Sequence, residues 1–296
     1  MQGICKLCGN KTELRKSHII PSFVYKWQKE TSATGYLRYG EEPNKRVQDG
    51  YKPYFFCDGC EQKFNKWETA FNNNIFNPLK EGKAGLCQYS DWLLKFAVSV
   101  SLRNLIYAID SRDISHLSNK LKREAYKALE TWKKFLNDER PHPGKYQQHM
   151  IVYDAILSST LDNLPTNINR YILRTIEMDI VKIGDAEAFV FTKMGKIFLI
   201  GFIEYQHPRH WKGTQIHVKK GNLRKGKYSL PLFFWEYFQS RAQKSKLIDS
   251  RISPKQRKKI DEDYKKKKKR ALNSETVRAT QEDINMFGKD KVFERK

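Results

Sequence analysis

The sequence predicts an α+β chain in three parts: a cysteine-clamped module over 1–80, a helical segment packed on an antiparallel sheet over 81–240, and a basic helical or partly disordered tail over 241–296. Three observations predict it. Two Cys-x-x-Cys pairs, Cys5/Cys8 and Cys57/Cys60, bracket the N-terminal stretch. Two long runs at helical spacing follow them. Short β-rich runs, broken at Gly184-Asp185 and Met194-Gly195, come next, ahead of the lysine run that ends at Arg270.

The thiols come first. Four soft sulfur donors, held about 2.3 Å from a common centre, suit tetrahedral zinc. Gly9 and Asn10 tolerate the left-handed backbone of a tight knuckle, and the second pair stands at the start of a helical pattern. Two disulfides are the opposing reading, but nothing else in the chain looks secreted. Cys87, the fifth cysteine, reads as a small buried residue.

Between the pairs, Ser17-His18-Ile19-Ile20-Pro21 reads as extended backbone, since proline fixes its own φ and restricts the residue before it. A strand there would hold the imidazole. After Cys60 an amphipathic helix begins, and Glu61, Asn65 and Glu68 share one of its faces. Oxygen donors in a row suit a hard divalent cation better than they suit zinc.

Taken together, these residues resemble the HNH, or His-Me finger, endonucleases, and most closely the phage recombination endonucleases in which a zinc treble clef supports a ββα-metal site. The resemblance covers about the first quarter of the chain. It implies an HNH module with structural Zn²⁺ on Cys5, Cys8, Cys57 and Cys60, a catalytic Mg²⁺ or Mn²⁺ on Glu61, and His18 as the general base of phosphodiester hydrolysis. Ser17 departs from the family's Asp or His at that position. A neutral hydroxyl is a weak ligand, so either Glu61, Asn65 or Glu68 supplies the charge, or the catalytic ion is lost. The expected function is therefore a metal-dependent endonuclease. The alternatives are an inactive zinc-finger nucleic-acid-binding protein, or a nuclease effector controlled by its α+β domain, for instance in anti-phage defence.

Charge points the same way. A net charge of +23 over 296 residues suits a polyanion, and nucleic acid, DNA ahead of RNA, is the expected partner. No run of about 18 consecutive apolar residues suggests a bilayer span, and no basic-then-apolar opening suggests export, so a cytoplasmic protein without a membrane role is expected. A protein partner stays open.

The remaining elements follow in order. The stretch from Trp27 to Tyr54 reads as a hairpin with a long tip, whose Arg38, Lys45, Arg46 and Lys52 would flank the active site. With Lys63 and Lys66 they would contact phosphates. Asn72-Asn73-Asn74 and Asn77-Pro78 break the helix, and a linker runs to Gln88. Helices are expected from Ser90 to Ile109 and from Leu117 to Leu136, and strands at 149–154, 171–176, 178–183, 186–192, 196–202 and 211–218. Phe233, Phe234, Trp235, Tyr237 and Phe238 suit a helix that plugs a core. Beyond it, Gln256 to Leu272 reads as a solvated, phosphate-tracking helix or a disordered arm.

Overall fold

The fold is described by a computed structural model over residues 1–82, 86–111, 113–159, 163–224 and 228–294. It opens with β1 (Gln2–Ile4), β2 (Lys11–Lys16), α1 (Ser22–Glu30), β3 (Tyr54–Cys57) and α2 (Asp58–Phe71). A π-helical turn (Asn72–Phe76), α3 (Asn77–Lys80), β4 (Leu86–Ser90), α4 (Trp92–Asp110) and α5 (Asn119–Leu136) follow. Then come β5 (Gln148–Val152), α6 (Ile168–Arg174), β6 (Ile176–Ile183), β7 (Glu187–Met194), β8 (Ile197–Glu204) and β9 (Lys220–Arg224). The chain closes with α7 (Leu232–Ser250), α8 (Pro254–Lys266), α9 (Lys268–Leu272), α10 (Glu275–Phe287) and α11 (Lys289–Phe293).

Helix and sheet are mixed, as expected, but contacts do not divide the chain at 80 and 240. They group Met1–Pro21, Tyr51–Val152 and Glu177–Leu230 into one compact unit, and Ser22–Gly50, Tyr153–Ile176 and Pro231–Lys296 into a second.

In the first unit β1, β2 and β3 form an antiparallel sheet in which Leu14 pairs with Cys57, and α2 leaves β3 directly. The core is organised on α4. This helix is long and apolar enough to cross a membrane by length and composition, and it is 78% buried within the protein. Two of its buried polar side chains are matched: Ser101 Oγ donates to Gln148 Oε1 at 2.7 Å, and Asn104 Nδ2 donates to the Phe191 carbonyl at 3.0 Å. Such matching is what allows polar groups inside a core. A four-stranded sheet in the order β5-β8-β7-β6 packs on this helix, and β4 pairs with β9 separately.

The second unit is helical, and its tail is built in. Asp283 of α10, fully buried, accepts from the backbone N–H groups of Asn169 at 2.7 Å and Arg170 at 3.2 Å. It thereby serves the exposed-donor end of α6. Arg270 donates to the carbonyls of Lys29 at 2.6 Å and Glu30 at 3.2 Å, the acceptor end of α1. The apolar run opening α7 fills the core as expected, with Phe234 and Phe238 buried and Phe238 edge-on to Tyr171 at 5.0 Å.

Four expectations are corrected. Residues 22–30 are α1, so the stretch to Tyr54 is no hairpin; a single bridge, Leu37 to Val47, remains of it. The helix does not break at the asparagines: it passes through the π turn, and Pro78 sits in the first turn of α3, where a missing N–H is tolerated. Residues 168–174 are helical, because Ile168, Tyr171 and Ile172 bury one helical face. At 211–218 there is one bridge, Gln215 to His149, in place of a strand. After Ile252 the chain is helical, one of the forms expected of it, with an interruption at Lys267, and Asp283 and Arg270 tie it into the unit.

Candidate metal centre and the polar site beside it

The knuckle between β1 and β2 carries Cys5 and Cys8, and Cys57 and Cys60 lie at the junction of β3 and α2. Gly9 adopts φ +77°, which lets the chain turn back so that its N–H reaches the Cys5 carbonyl at 2.9 Å. The four sulfurs lie within 4.8 Å of one another, with Cys5 to Cys60 at 3.7 Å and Cys8 to Cys57 at 3.8 Å. A tetrahedron of sulfurs about 2.3 Å from a metal has edges of about 3.8 Å. Disulfides would need sulfurs about 2.05 Å apart, and all five cysteines are free thiols. The donor set therefore fits zinc. Hydrogen bonding from Cys60 holds the Cys5 thiol down to about 4, while the same contact pushes Cys60 up. A divalent cation bound here would displace the thiol protons.

This clamp sets the end of β2 against the first turn of α2. Ser17 is 1% exposed, and its hydroxyl donates to Glu61 Oε1 at 2.6 Å. The strand expected at His18 stops at Lys16, after a bulge between Arg15 and Lys16. Even so, Ser17 N–H bonds to the Pro53 carbonyl at 2.9 Å and Ile19 N–H to the Tyr51 carbonyl at 3.3 Å, so the backbone on either side of His18 is held. Burial pushes the Glu61 carboxyl above its usual range, opposed by the Ser17 hydrogen bond and by the charges of Arg103 and His18.

Glu68 has a partner that the sequence reading missed. Arg103 of α4, 3% exposed, donates through Nη1 to Glu68 Oε1 at 2.6 Å and to the His18 carbonyl at 2.8 Å. The signal was available: an arginine inside an otherwise apolar helix face needs a buried counter-charge. Asn65, Lys63 and Lys66 are exposed on α2. Among the described residues the four thiols are the one convergent group of three or more Cys, His, Asp or Glu donors, so His18, Glu61 and Glu68 form no protein cage for a second metal.

The expected phosphate contacts divide. Lys52 belongs to the first unit with Lys63 and Lys66, whereas Arg38, Lys45 and Arg46 belong to the second. Arg46 pairs with Asp263 at 2.5 Å and Lys45 with Glu42 at 3.4 Å. No protein-family model, no curated protein and no solved structure matches this chain.

Proposed function

We propose that the N-terminal module is a metal-dependent endonuclease of the HNH kind, hydrolysing nucleic-acid phosphodiester bonds with His18 as general base. The observation that supports this reading most is the 2.6 Å hydrogen bond from Ser17 to Glu61, which keeps the residue before His18 on the first turn of α2 beside a half-buried carboxylate. Imidazole is the side chain whose ordinary pKa lies nearest neutrality, which suits it to take a proton from water. Glu61 would hold a divalent ion, and such an ion supplies Lewis-acid stabilisation of the phosphoryl oxygens. The net charge of +23 favours approach of the polyanion, DNA ahead of RNA.

A second reading has its own support. Glu68 is tied to Arg103, and Ser17 brings no charge, so a module that keeps zinc and binds nucleic acid without cutting it is the competitor. Plasmid nicking separates the two. The nuclease nicks with Mg²⁺ or Mn²⁺ and loses nicking in His18→Ala with zinc content and helix content unchanged. Nicking retained by that variant, or absent from the wild-type protein while binding persists, removes the nuclease reading.

A further inference from the structure

The second unit holds a cluster of cations that the cleavage chemistry does not use. The Arg46 guanidinium lies 4.0 Å from the centre of the Tyr36 ring, and Lys267 Nζ lies 5.2 Å from the same ring. Burial, and after it the opposing charge of Arg46, pushes the Arg38 pKa below its ordinary value, against the pull of Asp263. The acceptors are few. Asp263 takes Arg46 Nη2 at 2.5 Å, and the Gln256 side-chain oxygen, turned towards Arg38, takes its Nη2 at 2.7 Å. The Nε atoms of both arginines are buried with no acceptor.

Arg38 and Arg46 therefore share one nearby carboxylate, with more donors than acceptors, and Lys267 beside them donates to the Thr34 carbonyl at 3.4 Å. Like charges crowded into a half-buried place are unfavourable unless an anion joins them. Arg46 keeps 30% of its side chain exposed, so an outside anion can reach it. Guanidinium groups pair best with planar or tetrahedral oxyanions, phosphate above all.

We propose that Arg38, Arg46 and Lys267, set against Tyr36, form a binding site for a backbone phosphate of nucleic acid, and that Asp263 weakens it by supplying competing negative charge. The site rests on nucleic acid being the partner and not on cleavage.

The test uses the full chain, with a fluorescently labelled DNA oligonucleotide titrated without divalent metal over a series of salt concentrations. Arg38→Gln with Arg46→Gln should weaken binding about tenfold and lower the log–log salt slope by about one, the value for one lost phosphate contact. Asp263→Asn keeps every cation and should tighten binding about threefold. A double variant with wild-type helix content and an unchanged slope overturns the site. So does an Asp263→Asn protein, folded, that binds no more tightly. Inorganic phosphate is the second probe: if it stabilises wild type but not the double variant while the oligonucleotide slope is equal in both, the site takes a free phosphate compound and the nucleic-acid assignment falls. Nicking is scored separately, so a protein that shows the slope change and never nicks keeps this site and loses the nuclease.

Discussion

Arg103 joins His18 and Glu68: one guanidinium nitrogen serves the carbonyl of the first at 2.8 Å and the carboxylate of the second at 2.6 Å. The face of Phe64 lies 5.2 Å from the same guanidinium. This pair is buried, with 3% of the arginine and 14% of the glutamate side chain exposed. Arg103→Met should therefore destabilise the protein by about 3–5 kcal/mol, since it strands a buried carboxylate. Removing both charges, Arg103→Met with Glu68→Leu, should restore most of that loss. Urea denaturation of wild type, Arg103→Met, Glu68→Leu and the double variant measures the coupling; simple additivity would show the pair to be unimportant.

Zinc should be present at one ion per chain and should be structural. The knuckle and the β3–α2 junction are joined through their four sulfurs, and short β1 has only β2 beside it. Structural zinc sites bind with an apparent ~10–16 kcal/mol, more than a small module can lose. Cys60→Ser should abolish stoichiometric zinc and expose the backbone of β1, β2 and β3 to hydrogen exchange. Full zinc content in that variant would contradict the four-thiol site.

Asp283 predicts that the C-terminal helices are part of the fold. Its carboxylate, fully buried, takes two backbone N–H groups of α6 and the Arg170 Nε at 3.0 Å. Asp283→Ala leaves those donors unpaired, which costs about 1–3 kcal/mol for each buried group. Limited proteolysis should then cut after Ile252 in the variant and not in wild type. Equal resistance would return this region to the status of an appendage.

The thiol cluster, α4, α5 and β5 to β8 were legible because each rests on local signals: paired cysteines, helical spacing of apolar residues, and alternation broken by turn dipeptides. What was hidden depends on distant partners. The hairpin expected from Trp27 overlapped the end of α1, whose C-terminal carbonyls are served by Arg270, far along the chain. Tyr171–Ile176, expected as a strand, holds Ile172, Thr175 and Ile176, yet Ile168–Arg174 is helical with support from Asp283. Glu68 looked like a free ligand because nothing within its own helix reveals Arg103. The lysine run is solvated helix as its charge suggests; what stayed hidden is that Arg270 at its end caps α1 and that Asp283, further on, is buried against α6.

His149 predicts how the first unit answers to acid. The ring is 1% exposed, lies 4.4 Å from the Phe202 ring and 5.7 Å from the Trp211 ring, and its Nδ1 is 2.8 Å from Thr214 Oγ1. That hydroxyl donates to the Trp211 carbonyl at 2.8 Å, so it must accept from the ring, and Nδ1 carries the proton. Nε2 is buried without a partner. Burial, helped by the charge of His217, lowers the pKa from 6.5 to about 3. The unfolded chain therefore binds a proton that the folded ring refuses. Stability is complete above pH 6.5 and is lost as pH falls from there towards about 3, by up to about 1.4 kcal/mol per pH unit. His149→Leu removes the titrating group, so its stability should change less between neutral pH and about pH 5 than that of wild type. Urea denaturation at the two pH values measures this, and parallel acid losses in both proteins would mean that other groups govern the response.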